Sequence, residues 1–214
     1  MNGMDVQTKY WDAVAATKTF AHPVPMQTFL DSVPVDARIL DYGCGYGRTC
    51  SEFVTNGYRH VVGVDISAWM IARGGTLFPN LDLRRFDGAS LPFADDMFDI
   101  CTLLAVLTCI PTDAGQRAVM SEIRRVLRPG GILYVSDYPL QPDSRNQDRY
   151  QEFKDEFGVF GVFRLPDGGI VRHHDRRWVH ELLSPFDVLN EGSAEVHTMN
   201  GNAARIFQIM ARKR

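Results

Sequence analysis

From residue 37 onward the apolar positions fall into two alternating rhythms. Short apolar runs bounded by polar or turn residues predict strands at Arg38 to Tyr42, His60 to Asp65, Leu81 to Phe86, Asp99 to Leu104 and Ile132 to Asp137. Between them, helical spacing predicts Thr49 to Val54, closed by Asn56-Gly57, and Ser67 to Arg73, stopped by Gly74-Gly75. The clearest helix runs from Asp113 to Leu127, with Val119, Met120, Ile123, Val126 and Leu127 on one face, a capping box from Asp113 and Gln116, and a stop at Pro129-Gly130-Gly131. Alternation of this kind predicts a parallel sheet covered by helices.

After Asp137 the rhythm changes. Residues 138–174 hold a polar helical stretch, Ser144 to Glu156, and then a hairpin turning at Pro166-Asp167-Gly168-Gly169, so the segment reads as an insertion. A helix near Asp175 to Leu183 and two strands, Phe186 to Thr198 and Ala203 to Ala211, follow. Residues 1–36 lack strand alternation but carry Tyr10, Trp11, Phe20, Phe29 and Leu30, which predicts one or two packed helices split by Pro23 and Pro25.

The stretch Asp41-Tyr42-Gly43-Cys44-Gly45-Tyr46-Gly47-Arg48 joins the first predicted strand to the first predicted helix. Glycines there allow a tight turn and close backbone approach to a ligand at the positive end of a helix dipole. The spacing is G-x-G-x-G, whereas a dinucleotide fingerprint requires a glycine where Arg48 stands. Asp41 would oppose a diphosphate but accepts from an ammonium group. A nicotinamide dehydrogenase is therefore disfavoured. Asp65, 18 positions beyond Gly47, ends the second strand where a carboxylate reaches ribose hydroxyls. Asp87 ends the third, where an adenine amino group would lie.

The 214 residues suffice for one core, and a net charge of −3 gives no basic footprint for nucleic acid. Without a long apolar run or a leader-like start, the expectation is a soluble cytoplasmic protein. Cys44, Cys50, Cys101 and Cys109 show no metal spacing, so no metal is expected and reduced thiols are the reading.

Five segments, ILDYGCGYGR (39 to 48), VVGVDIS (61 to 67), FDGASLPFADDMFDI (86 to 100), LLAVLTCI (103 to 110) and RRVLRPGGILYVSD (124 to 137), resemble the class I S-adenosylmethionine-dependent methyltransferases in order and spacing. The resemblance covers Ile39 to Arg212. It implies a doubly wound, Rossmann-like seven-stranded α/β sheet with helices on both faces, in a single domain over 1–214 with an N-terminal helical lid (1–36) and a substrate-cap insertion (138–174) after the fifth strand. It also implies S-adenosyl-L-methionine as cofactor, with Gly43 and Gly45 against the methionyl part, Asp41 at its amino group and Asp65 on the ribose. Asp87, with Gly88 and Ala89, falls to the adenine edge, Ile66 to its face and Leu104 to the methionyl chain. Arg48 has two readings, the carboxylate or a surface role.

The sulfonium methyl of that cofactor is already activated, so transfer chiefly requires a positioned acceptor, and a base only where the acceptor loses a proton. Candidates are His173 and His174 as base or orienting pair, or as solvated capping histidines, and Asp137, Arg145 and Arg149 facing an acceptor. Tyr10 and Trp11, with Phe20, either close over the cation through their ring faces or simply pack. His22, His60, His180 and His197 show no pattern. Methyl transfer to a small molecule is the leading expectation. Cyclisation of the cofactor to azetidine-2-carboxylate with release of methylthioadenosine is the first alternative, and non-catalytic cofactor binding the second.

Overall fold

The computed structural model describes residues 7–88 and 90–214. Its seven-stranded sheet contains β1 (Arg38–Tyr42), β2 (His60–Asp65), β3 (Asp82–Arg85), β4 (Phe98–Leu104), β5 (Leu127–Asp137), β8 (Phe186–His197) and β9 (Ala203–Lys213). Their order is β3-β2-β1-β4-β5-β9-β8. The first five are parallel, and β9 runs antiparallel to β5 and β8. The chain order reverses between β1 and β4, which opens a crevice at the carboxyl ends of the central strands.

Period-two alternation along the buried strands sorts side chains to two faces. Leu40, Tyr42, Cys101, Leu103, Leu133 and Val135 pack with α5 (Asp113–Val126) and α7 (Arg176–Leu182). Ile39, Val61, Ile100 and Tyr134 pack with Phe29 of α2 (Met26–Ser32) and Phe53 of α3 (Arg48–Thr55). Ile39, Leu40 and Phe53 are completely buried, each stabilising by about 1.5–3 kcal/mol relative to exposure.

Three local expectations are corrected. Helix α4 (Ala68–Leu77) does not stop at Gly74-Gly75. A Cβ at Gly74 would stand 2.4 Å from Leu83 and 2.8 Å from the Tyr46 carbonyl, so this glycine serves close packing of the helix, not its end. Helix α5 is capped by Thr112, whose hydroxyl accepts from Gly115 N, while Gln116 is fully buried and donates to the Leu107 and Ile110 carbonyls. The chain also passes from α5 directly into β5, with Pro129-Gly130-Gly131 inside the strand.

Beyond β5 lie α6 (Ser144–Phe157) and the hairpin of β6 (Val162–Arg164) and β7 (Ile170–Arg172), which form a separate two-stranded sheet. The N-terminal segment, with α1 (Thr8–Val14), is bonded on both sides of the crevice. Ser67 Oγ donates to Asp12 (2.6 Å), and Arg73 donates to the Ala15 and Lys18 carbonyls. On the other side Gln7 exchanges two hydrogen bonds with the backbone of Ile170, and Lys18 pairs with Asp167 at 2.8 Å. All four cysteines are free thiols. Among the described residues no helix is long and apolar enough to cross a membrane, and no cluster has the make-up of a metal site.

Candidate active site

A cavity lies at the carboxyl ends of the central strands, under the N-terminal segment and beside α6 and the hairpin. Gly43, Gly45 and Gly47 all take positive φ (72°, 56° and 86°), a turn side chains would strain. A Cβ at Gly43 would come within 2.6 Å of Val106, and one at Gly45 within 2.4 Å of Phe20. Gly43 and Cys44 donate to the Val64 carbonyl, which moors the loop to β2.

Two carboxylates flank the loop. Asp41 accepts from Thr102 Oγ1 (2.6 Å) and from the Cys50 thiol, and burial pushes its pKa up to about 6 against those bonds. Asp65 accepts from Gly45 N (2.9 Å) and Ser67 N (2.8 Å), and burial likewise raises it to about 6. Each therefore stands ready to ionise fully when a cation or a strong donor set arrives.

Asp41, Gly43, Gly45, Arg48, Asp65, Ile66 and Leu104 all line the cavity. Asp87 is exposed beside the cavity-lining Phe86, and neither it nor Gly88 is on the wall. Ala89 lies outside the described residues. Arg48 pairs with Glu52 and donates to the His22 carbonyl (2.5 Å), and its Nε is buried without a partner. The glycine cradle and the two buried carboxylates suit a ligand with an ammonium end and a ribose, so these residues fit the implied cofactor.

Across the cavity, Tyr10 and Trp11 line the wall in an edge-on pair 5.0 Å apart, with the Tyr10 hydroxyl donating to Asp167. Tyr138, Phe163, His173 and three residues of α6, Arg145, Asn146 and Arg149, complete this side. His173 stacks on Tyr138 at 5.5 Å. Gln141 N donates to the Tyr150 hydroxyl (3.1 Å), and the same hydroxyl shares a hydrogen bond with His173 Nδ1 (2.5 Å). Burial lowers the His173 pKa to about 3, so the ring is neutral.

Two catalytic candidates do not reach the cavity. In extended backbone, neighbours face opposite ways, so while His173 faces the cavity, His174 is fully buried behind it. Its Nδ1 donates to the Tyr138 carbonyl (3.0 Å) and its Nε2 meets Gln116 Nε2 at 2.9 Å, a packing role. Asp137 is likewise fully buried, accepting from Thr108 N (3.0 Å) and Tyr138 N (2.8 Å), and burial lifts its pKa to about 7.

His22 is the residue that pattern reading missed. It lines the cavity, bonds Ser136 Oγ through Nε2 (2.7 Å) and sits edge-on to Tyr138 at 5.7 Å. Its Nδ1 is buried without a partner, and burial followed by the charge of Arg48 lowers its pKa to about 4. Ser136 lies 114 positions away, so no local signal could have found the pair. The β8–β9 turn, from His197 to Asn202, also contributes to the wall.

Known proteins share the fold and part of the sequence around the cavity's central strands. The family described as Methyltransferase domain matches residues 40–135. A SAM-dependent methyltransferase from Methanosarcina mazei superposes with a TM-score of 0.83 at 26% identity, covering 90% of this chain and 99% of that one. A sterol 24-C-methyltransferase of Gibberella zeae is 33% identical over 53% of this chain and 31% of its own length. A demethylmenaquinone methyltransferase of Beutenbergia cavernae is 37% identical over 49% of this chain and 42% of its own length. The chain thus spans well under half of either relative's length.

Proposed function

We propose that this chain, which belongs to the class I S-adenosylmethionine-dependent methyltransferases, transfers a methyl group to a small-molecule acceptor. The observation that carries this is one cavity with two unlike halves. One half is a glycine cradle flanked by buried carboxylates, and the other a wall of aromatic and polar side chains drawn from the N-terminal segment, α6 and the hairpin. In this reading residues 1–36, of which the first six lie outside the described residues, are a lid and 138–174 a cap over ligands small enough to be enclosed. The small substrates named for relatives, a sterol and demethylmenaquinone, favour the same class of acceptor.

The cofactor supplies an activated methyl group, and the chain supplies position. Asp41 and Asp65 would hold the ammonium and ribose ends, and the cradle would bring backbone against the methionyl chain. Asp87 and Gly88, which follow the wall residue Phe86, would meet the adenine edge from beside the cavity, with Ile66 and Leu104 on the apolar sides. Arg48, on the cavity wall with its Nε unpartnered, would face the carboxylate end. Tyr10 and Trp11 exclude water. His173, neutral and facing the cavity, orients the acceptor by hydrogen bonding.

The test is incubation with S-adenosylmethionine, with and without a set of quinols, phenols and other small acceptors, followed by mass spectrometry. Acceptor-dependent S-adenosylhomocysteine is the expected product. Methylthioadenosine formed without acceptor would replace this reading with cyclisation, and an intact cofactor under every condition would leave only binding.

A further inference from the structure

Helix α6 turns Arg145, Asn146 and Arg149 toward the cavity, at positions that share one helical face. Arg149 lies over the Phe163 ring at 4.3 Å, and no carboxylate of the described residues is within ion-pairing distance of it. The nearby Asp143 is already committed, capping α6 through Asn146 N and standing 3.7 Å from Arg145. Burial, and then the like charge of Arg145, press the Arg149 guanidinium toward losing its proton. A half-buried cation in that setting is stabilised by an anion.

Asn146 gives a second, independent indication. Its Nδ2 donates to Asp143 Oδ2 (2.5 Å), which fixes the amide's orientation, and its Oδ1 is then buried with no partner. An unpaired buried carbonyl costs about 1–3 kcal/mol, which a donor on a ligand would recover. The wall therefore brings together a planar cationic fork, an unpartnered buried carbonyl and the His173 imidazole, set among the rings of Tyr138 and Phe163.

We propose that the methyl acceptor is a small carboxylate: its carboxyl group pairs with Arg149, and a neighbouring hydroxyl or amine donates to Asn146 Oδ1. The fork of an arginine matches a carboxylate with two parallel hydrogen bonds, which gives orientation as well as charge recognition. The proposal rests on the reading of this cavity as a methyltransferase site and narrows its substrate class.

The test uses the whole chain saturated with S-adenosylhomocysteine and titrated calorimetrically with aromatic and aliphatic hydroxy- and amino-carboxylates, each beside its methyl ester. At least one free acid should bind about tenfold or more tightly than its ester, and added salt should erode that preference. Arg149→Gln should remove the preference while leaving S-adenosylhomocysteine affinity as it was, and Arg149→Lys, which keeps the charge and the apolar stem, should retain part of it. Acids that bind no better than their esters, or a preference that survives in Arg149→Gln, would overturn the proposal. Failure of the unaltered chain to bind S-adenosylhomocysteine would instead overturn the methyltransferase reading beneath it.

Discussion

The two halves of the cavity are built to recognise by different means. On the half proposed for the cofactor, the wall offers backbone held at positive φ and two carboxylates at strand ends, all within one run of sequence and its neighbouring strands. On the other half it offers long and aromatic side chains of segments far apart in the chain, held by bonds such as Gln7 to Ile170 and His22 to Ser136. Backbone at the end of a buried parallel strand has little freedom to drift, so that half suits a ligand shared across a family. The second half can be rebuilt by changing side chains without touching the sheet, which is how one fold serves many acceptors.

That contrast is open to direct attack. Asp65→Ala removes the acceptor for Gly45 N and Ser67 N as well as for the ribose, and should weaken S-adenosylmethionine binding by about 1–3 kcal/mol in a calorimetric titration. Unchanged affinity would mean the carboxylate only braces the loop. Next in size is a pH effect. With Asp41 and Asp65 each titrating near 6, each ionisation that cofactor binding requires should raise affinity by up to roughly tenfold between pH 5 and pH 7, and Asp41→Asn should remove the share that belongs to Asp41.

Stability should move the opposite way in the ligand-free protein. A carboxyl whose folded pKa is raised holds its proton longer folded than unfolded, so its contribution is present at pH below about 4 and lost as pH rises. The loss runs through about 6 for Asp41 and Asp65 and about 7 for Asp137. His22, His173 and His174, lowered to about 4, 3 and 3, act in the reverse sense, their contribution being lost as pH falls below the ordinary histidine value. Asp137→Asn, compared with the unaltered chain by denaturant unfolding at pH 5 and pH 7.5, should therefore gain relative stability at the higher pH.

On the acceptor half, Tyr150→Phe leaves Gln141 N and His173 Nδ1 unpaired and should lower the unfolding free energy by about 1 kcal/mol with S-adenosylhomocysteine affinity intact. A matching loss of cofactor affinity would show that the halves are not separable. The smallest effect belongs to Lys18→Ala. Its partly exposed pair with Asp167 is worth about 0.2–1 kcal/mol, and the change should appear as faster amide exchange in the N-terminal segment.

Legibility in the sequence followed the same division. Strands β1 and β2 end where the apolar runs end, and the glycine loop with Asp41 and Asp65 could be read because its parts lie close together in sequence. Gly74 was unreadable as a packing glycine because the reason for it, Leu83 and the Tyr46 carbonyl, lies on other elements. The adjacent histidines could not be told apart until the strand direction was known, since alternation alone sends His173 to the cavity and His174 to Gln116. His22, in a proline-rich stretch with no periodicity, acquires meaning only from Ser136, Tyr138 and Arg48.

Asp137 gives the two halves a common post. Its buried carboxylate holds Thr108, in the turn that follows β4, and Tyr138, at the start of the acceptor wall, by their amides. Were a ligand in one half to shift one of these amides, the bond to the other would be strained, and the two binding equilibria would share a free energy. Thermodynamic reciprocity then demands that whatever factor the cofactor confers on acceptor affinity, the acceptor returns to the cofactor. The nucleoside product that has lost its methyl group is bound by the same rule, more or less tightly according to what still occupies the other half.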